Sequence, residues 1–594
     1  MNNKKKFYFM LLFFNFIMLF SIVFNKSIPN HKILFEYKNN NNFIVSENYS
    51  KDYEYTNDNV EYTMQLKFNY IDCNFNSKTE CKKYFTTNNK KIVNDLNLNK
   101  YLYYCSEYTP YVFLKFNKDE NFFDIYNIAS IVSQSDYVDN IRISESDVYN
   151  FKLDDLDNES KPSFDIVDSS DGYGNYENYP SGTSCKGQNI KIGLLDTGIF
   201  DTNNENFKDI HVETVYDKYT SDSETNHPTK VASVLGGKYG YASKSSIYYV
   251  DVNSDCSYTG IEKLIDKGCS IINMSIALSS CENNGEYDTG LEGYLDYIYT
   301  TTKVIMVAAS GNTLNKEGSG GYVTFPSLCA NVISVGSVDN KYTPSVFSSY
   351  KVKNNVDSNP FVVAVGTERY IEGFGNCSGT SFAAPAVTGA IAMYFSKYGV
   401  KELPLVMSMI AATSNSNCIN TTSQTINLAN SSIICTNNKK SNGLYERTGV
   451  GIIDITKIIG YTNSSLSNQT VFQNNNLVSL KQIYLNADEN LKAAISWQRN
   501  ATLTINKVLW IEKSRTYSSN DLADVDLYLY DENGIIAKSI SSQSNIELLT
   551  FKASHSGYYT IKAKSIKNYS DLVNINYSYY IYLWGALWNI NIYI

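Results

Sequence analysis

An α/β three-layer domain with a mainly parallel sheet, preceded by an α+β domain and followed by an all-β sandwich, is the architecture this sequence predicts. Three observations predict it. Between residues 187 and 465, short apolar runs alternate with stretches of helical period, as in strands flanked by helices on both faces. Ahead of that region, residues 110–145 carry a β-α-β pattern. After about residue 470 helix signals vanish and apolar residues recur with period two.

Taken in order, the chain opens with an address. Lys4-Lys5-Lys6 precedes an apolar run from Phe7 to Phe24, broken by Asn15. A basic start before an apolar core reads as an export signal. The run also reaches the lower length limit of a spanning helix, and no clear small-x-small cleavage site follows. Residues 1–25 are therefore expected to be a signal peptide or an uncleaved signal anchor. Either way the lysines stay cytoplasmic and the bulk lies outside, secreted or at the cell surface. Residues 26–150 form the next unit, with a strand at Tyr111–Phe116, a helix at Asp124–Ser133 and a strand at Val138–Ile143. Residues 151–186, rich in Asp, Ser, Gly and Tyr, read as a linker or lead-in. In 187–465 the expected strands are 190–195, 246–252, 269–274, 303–309, 331–336 and 361–365, and the expected helices 227–236, 257–267, 288–301, 381–397 and 402–412. Ligands of such sheets bind at the carboxyl ends of the strands. In 470–594, Leu491–Trp497, Asp524–Tyr530 and Gly557–Ala563 read as strands, with Asp531-Glu532-Asn533-Gly534 as a hairpin turn.

Four segments carry chemistry. Ile190-Lys191-Ile192-Gly193-Leu194-Leu195-Asp196-Thr197-Gly198 is a buried strand that delivers a carboxylate to a crevice, or an ordinary Asp-Thr-Gly turn. His227, one of only four histidines, opens a segment with Val231, Val234 and Leu235 at helical spacing. Val304–Ala309 is a second buried strand, followed by Ser310-Gly311-Asn312, where an amide could serve an oxyanion or cap a turn. Gly379-Thr380-Ser381-Phe382-Ala383-Ala384-Pro385 places a hydroxyl at a helix start, where free N–H groups face a cleft.

In the order Asp, His, Asn, Ser, these segments resemble the subtilisin-like serine proteases, the subtilases. The spacing fits that resemblance: 31 residues separate Asp196 from His227 and 69 separate Asn312 from Ser381. Ile272-Asn273-Met274-Ser275, Phe325-Pro326, Val332–Asp339, Phe347–Tyr350 and Gly449–Asp454 look like family segments as well, so the resemblance spans roughly residues 165–462. It implies a Ser381-His227-Asp196 triad with Asn312 as oxyanion donor, an acyl-enzyme mechanism and a polypeptide substrate. It implies substrate contacts from Ser275, Ile276, Ala277, Ala309, Ser310, Gly311 and Thr324. The β-α-β pattern resembles half of a subtilase propeptide, hence a zymogen. The last unit looks like the jelly-roll-like sandwich often appended to the family.

Two departures carry consequences. Proline, not glycine, follows the histidine, which suits His227 to an N-cap position. Ile276-Ala277-Leu278 follow Ser275 where the family favours glycines, so bulkier residues are expected to narrow subsite preference; Thr324, in turn, stands where many relatives have glycine at the base of the primary pocket, so a shallow pocket for small or medium side chains is expected.

Composition narrows the classes. The net charge is −9, with no long basic run beyond Lys4–Lys6, so nucleic-acid binding is unsupported. No cofactor is expected; calcium ligands are not assignable. A monomer is expected. The eleven cysteines suit an oxidising compartment, with Cys418–Cys435 the first guess for a bridge and Cys269 with Cys281 or Cys256 the next. The alternative is a set of small buried hydrophobes. Two functions stand at this point: an exported serine endopeptidase, or an inert subtilase-shaped surface binding protein or adhesin. The presence of all four chemical positions favours the enzyme.

Overall fold

The computed structural model describes residues 33–38, 42–44, 62–68, 78–116, 122–145, 151–153, 177–180, 182–216, 225–252, 257–278, 289–316, 320–352, 359–416, 419, 423–428, 431–462, 470–473, 476–499, 501–508, 511–519, 523–567 and 572–583. The apolar run 7–24 and Cys73, Cys256, Cys281 and Cys418 lie outside these residues. Among the described residues no helix is long and apolar enough to cross a membrane.

The N-terminal unit is an antiparallel sheet in the order β2-β1-β6-β3-β5-β4: β1 Ile33–Lys38, β2 Asn42–Ile44, β3 Tyr62–Phe68, β4 Leu102–Cys105, β5 Tyr111–Phe116 and β6 Val138–Glu145. Helices α1 (Lys78–Asp95) and α2 (Phe122–Val132) complete it. The expected β-α-β is present as β5, α2 and β6. Sequence reasoning passed over α1, although Cys81, Phe85, Asn89 and Ile92 recur at helical spacing and are all buried. A short strand, β7 (Phe151–Leu153), follows within the expected linker.

Next comes a seven-stranded sheet whose neighbours all run parallel, in the order β15-β14-β13-β11-β8-β10-β9. Its strands are β8 Lys191–Asp196, β9 His211–Tyr216, β10 Ser246–Asp251, β11 Ile271–Met274, β13 Ile305–Ala309, β14 Val332–Val338 and β15 Val362–Val365; β12 (Ile276–Leu278) stands apart and pairs with β7. The interior strands are buried almost end to end, as a parallel sheet covered on both faces requires. The edge strand β9 was not expected. No residue of it is fully buried, so it lacks the continuous apolar run of its neighbours.

The covering helices are α3 (His227–Gly236), α4 (Ser257–Asp266), α5 (Thr289–Thr302), α6 (Thr380–Tyr398), α7 (Leu403–Thr413) and α8 (Ile455–Gly460). Helix α6 is buried from Thr380 to Phe395 despite Gly389, Pro385 and several β-branched residues. Packing, not propensity, stabilises it, since each large apolar side chain withdrawn from water contributes roughly 1.5–3 kcal/mol. Two small hairpins decorate this unit, β16–β17 (Arg369–Ile371, Gly375–Cys377) and β18–β19 (Gln424–Asn427, Ser432–Cys435). Cys435 is buried and packs with Leu314 and Ile426 as a small hydrophobe, while Cys418, its guessed partner, lies outside the described residues.

The C-terminal unit has β20 Thr470–Gln473, β21 Leu477–Leu485, β22 Glu489–Ser496, the hairpin β23 Ala501–Val508 with β24 Ile511–Ser519, then β25 Asp524–Asp531, β26 Gly534–Ser539, β27 Ile546–Lys552, β28 Gly557–Lys567 and β29 Leu572–Leu583. Apart from the hairpin these form two four-stranded antiparallel sheets, β20-β29-β22-β27 and β21-β28-β25-β26. The chain passes back and forth between the sheets in the order of a jelly roll. Leu491 and Ile495 of one sheet share an apolar cluster with Leu527 and Ile561 of the other.

Candidate active site

The site gathers at the carboxyl ends of β8, β11 and β13 and at the start of α6. Asp196 is the last residue of β8, with no solvent exposure. One of its oxygens takes the Thr197 N–H at 2.7 Å and lies 2.7 Å from His227 Nδ1. A carboxylate only accepts, so the imidazole donates through Nδ1–H and its Nε2 is left to act as a base. His227 is the first residue of α3, and the N-cap is Asn226. The expectation that His227 itself caps the helix is thus off by one: Pro228 is accommodated within the first turn, and His227 is drawn into the helix ahead of it.

The ring of Phe382, the residue after Ser381, lies 5.7 Å from the imidazole centre and brings the start of α6 against His227. Ser381 is fully buried, and its hydroxyl donates to the Ser275 carbonyl at 3.3 Å. Pro385 explains the local wiring. It has no N–H to give to the carbonyl four residues back, which is that of Ser381. The Ser275 hydroxyl takes that role at 2.8 Å. Asn273 Nδ2 donates to Ser275 Oγ at 2.9 Å, and the Thr388 hydroxyl donates to Asn273 Oδ1 at 2.9 Å. The Ser381 backbone is therefore held by a buried polar chain from the next strand and from its own helix.

Asn312 is fixed from the other side. Its Oδ1 accepts both the Thr380 N–H and the Thr380 hydroxyl, each at 2.9 Å. A backbone donor settles which amide atom is oxygen, so Nδ2 is the arm available to an oxyanion. The Thr380 hydroxyl in turn accepts the Gly311 N–H at 3.2 Å. Thr380, Asn273 and Thr388 escaped sequence reasoning as working residues, although Thr380 sits inside the Gly-Thr-Ser signature itself.

The expected substrate-side residues also converge. Ile276 and Ala277 lie in β12 directly beyond Ser275, and Ala309, Ser310 and Gly311 lead from β13 to Asn312; all five are buried. Thr324 donates its N–H to the Ser310 carbonyl at 3.0 Å. Gly311 has φ +107°, and a Cβ there would stand 2.9 Å from the Thr324 side chain. Only glycine satisfies both demands, and Thr324 fills the space beside it. Among the described residues no three His, Cys, Asp or Glu side chains gather as metal ligands would.

Comparison with known proteins bears on this arrangement. The model of the subtilase family matches residues 187–451. Subtilisin DY of Bacillus licheniformis is 30% identical over 246 residues, 38% of this chain and 84% of the relative. Subtilisin amylosacchariticus of Bacillus subtilis subsp. amylosacchariticus is 27% identical over 232 residues, 36% of this chain and 57% of the relative. Among solved structures, fervidolysin from Fervidobacterium pennivorans, a keratinolytic enzyme related to subtilisin, aligns with 91% of this chain and 90% of its own at 14% identity and a TM-score of 0.47. The chain belongs to the subtilase family, the subtilisin-like serine endopeptidases.

Proposed function

We propose that the chain is an exported endopeptidase, made as a precursor, that cuts polypeptides through Ser381, His227 and Asp196. The observation that carries this reading is the buried 2.7 Å contact of His227 Nδ1 with Asp196, set against the first turn of the helix that bears Ser381. A hydroxyl is a weak nucleophile at neutral pH and needs a base. Rotation of Ser381 away from the Ser275 carbonyl offers its proton to His227 Nε2 as the oxygen attacks. Asp196 holds the tautomer and stabilises the imidazolium. The Asn312 amide and the Ser381 N–H receive the oxyanion, His227 returns the proton to the leaving amine, and water repeats the sequence on the acyl-enzyme. Thr324 favours small or medium side chains before the cut. Residues 7–24 supply the export signal, cleaved or kept as an anchor, and the N-terminal unit covers the enzyme until processing. No observation favours the inert alternative.

Labelling with a fluorophosphonate tests the proposal. The processed wild-type chain is expected to label and Ser381→Ala to stay dark; a processed wild-type protein that does not label overturns it. Asn312→Ala is expected to lower kcat about 10²–10³-fold, the loss known for the oxyanion asparagine of the relative subtilisin and borrowed from it.

A further inference from the structure

We infer that Glu177 is a positioning residue: from outside the site it sets the spacing of the two helices that bring His227 and Ser381 together. This rests on the serine-protease reading above. Three segments meet in one buried cluster: the arm that leads into the enzyme unit, the turn after α3 and the hairpin before α6. Glu177 of the arm, Tyr241 of the turn and Arg369 of β16 are each exposed by 1% or less. One Glu177 oxygen accepts the Val365 N–H at 2.7 Å and the Arg369 guanidinium at 2.5 Å, and the other accepts the Tyr241 hydroxyl. Arg369 closes the cluster, donating to the Tyr241 oxygen at 2.9 Å and to the Val365 carbonyl at 2.6 Å.

Burying a charge pair costs about as much as it returns, so stability alone does not account for one this deep. Its use lies in where each partner leads. Tyr241 hangs on the helix of His227, its N–H donating to the Val234 carbonyl at 3.2 Å. It also lies against the helix of Ser381, where a Cβ added to Gly389 would stand 2.6 Å from the Tyr241 Cβ. On the other side, Val365 and Arg369 bracket Gly366, whose carbonyl accepts the Gly379 N–H at 2.7 Å. Gly379 is the N-cap of α6, two residues ahead of Ser381. Glu177 thus holds one strut to the base, through Tyr241, and one to the nucleophile, through Val365 and Gly366.

The arm does not take this course by its own preference. Glu177 has φ +51° and Asn178 φ +52°, a left-handed pair that non-glycine residues keep only where their surroundings fix it. The start of α8 fixes it here. Ile455 N–H donates to the Glu177 carbonyl at 3.0 Å, Thr456 N–H to the Asn178 carbonyl at 3.1 Å, and the Asn178 amide to Asp454 at 2.9 Å. Displacing reacting groups by about 1 Å can cost about 10²-fold in rate, so a carboxylate in this place acts on kcat without meeting the substrate.

The experiment compares the wild-type chain with Glu177→Gln, Tyr241→Phe and Arg499→Leu. For each, kcat and KM on one peptide, the rate of fluorophosphonate labelling and the calorimetric Tm are measured, with the rates taken well below the Tm. Glu177→Gln deprives Arg369 of its anion. Tyr241→Phe removes a single hydroxyl, and so one strut, from a chain that still folds. Arg499→Leu breaks the buried Arg499–Glu292 pair at the C-terminal unit and serves as the control for lost stability. Glu177→Gln is expected to lower kcat about 10–100-fold with KM within about twofold, and to slow labelling by the same factor. Tyr241→Phe is expected to lower both rates about 3–10-fold. Arg499→Leu should lower the Tm and keep both rates. Wild-type rates in Tyr241→Phe or in a folded Glu177→Gln overturn the inference, as do rates in Arg499→Leu that fall by the same factor. The peptidase reading stands in each of those cases if the wild type labels; a wild type that does not label sinks both.

Discussion

The enzyme unit is joined to a neighbour on each side, and the two joins differ in kind. The N-terminal unit meets the outer surface of α4 and α5 through aromatic edges, Phe85 on Tyr297 and Tyr111 on Tyr294, and through carboxylates. Glu262 accepts the Ser106 hydroxyl and the Glu107 N–H, and Asp266 accepts from Tyr108 and Lys82. The C-terminal unit instead lays β22 and β29 on α7 and exchanges backbone bonds with the enzyme. Leu548 N–H donates to the Asn442 carbonyl at 2.9 Å, and Ile540 N–H to Ser441 at 3.1 Å. Lys492, almost fully buried, gives its ammonium to the Ser414 carbonyl at 2.6 Å. The first join has one chain connection, the stretch between the N-terminal unit and β8. The second buries groups that have nowhere else to go. The first join rests on side-chain acceptors and ring edges, the second also on bonds between backbones.

Breaking the C-terminal join has the largest expected effect. Arg499 and Glu292 form a buried ion pair across it, and Arg499→Leu leaves the carboxylate buried without its guanidinium. We expect a loss of about 3–5 kcal/mol in the processed enzyme, seen as a large drop in calorimetric Tm. An unchanged Tm would mean that the unit is an appendage and not a brace. Gly443→Ala strikes the same join more gently. The Cβ would stand 1.8 Å from the Leu548 carbonyl oxygen, at a backbone φ of +80°. The forced shift should cost about 1–3 kcal/mol, and a small loss would show that the backbone contact yields easily.

Sequence reasoning reached the sheet and the site but not these joins, and the reason is physical. Parallel strands announce themselves through local apolar runs, and Asp196, His227, Asn312 and Ser381 each sit in a short segment whose residue types state a purpose. Edge strand β9 has no such run. The partners at the joins have no local signature: Glu262 meets Ser106 across 156 positions and Arg499 meets Glu292 across 207. Thr380 was visible as a small residue before Ser381, yet its hold on Asn312 appears only once two distant turns meet.

A third substitution sharpens the contrast at the N-terminal join. Glu262→Gln keeps the volume but sets an amide donor where one carboxylate oxygen accepted the Glu107 N–H at 3.0 Å. Leaving that buried N–H without an acceptor costs roughly 1–3 kcal/mol, so the cut N-terminal fragment should bind about 5–100-fold more weakly. Gel filtration of the processed protein would show the fragment leaving, with the Tm of the enzyme unit unchanged. A fall in that Tm would mean that Glu262 braces the enzyme rather than the join.

The smallest effect is a dependence on pH. Burial beneath the N-terminal unit pushes the Glu262 carboxyl up to about 8, with Asp266 adding to the rise and the Glu107 N–H, Tyr294 and Lys82 opposing it. Once the unit leaves, Glu262 faces water and titrates near the ordinary carboxylate value of about 4.3. The docked form therefore holds the extra proton between those values, and docking weakens as pH rises through that window and levels off above 8. Glu107, Tyr108 and Lys82 face Glu262 from the departing side, and Asp266 and Tyr294 from the enzyme. The affinity for the fragment should fall by roughly 50-fold between pH 6 and pH 8, and Glu262→Gln should flatten the slope. Retention that rises with pH, or a slope that survives the substitution, assigns the proton to another group and removes Glu262 from the release of the N-terminal unit.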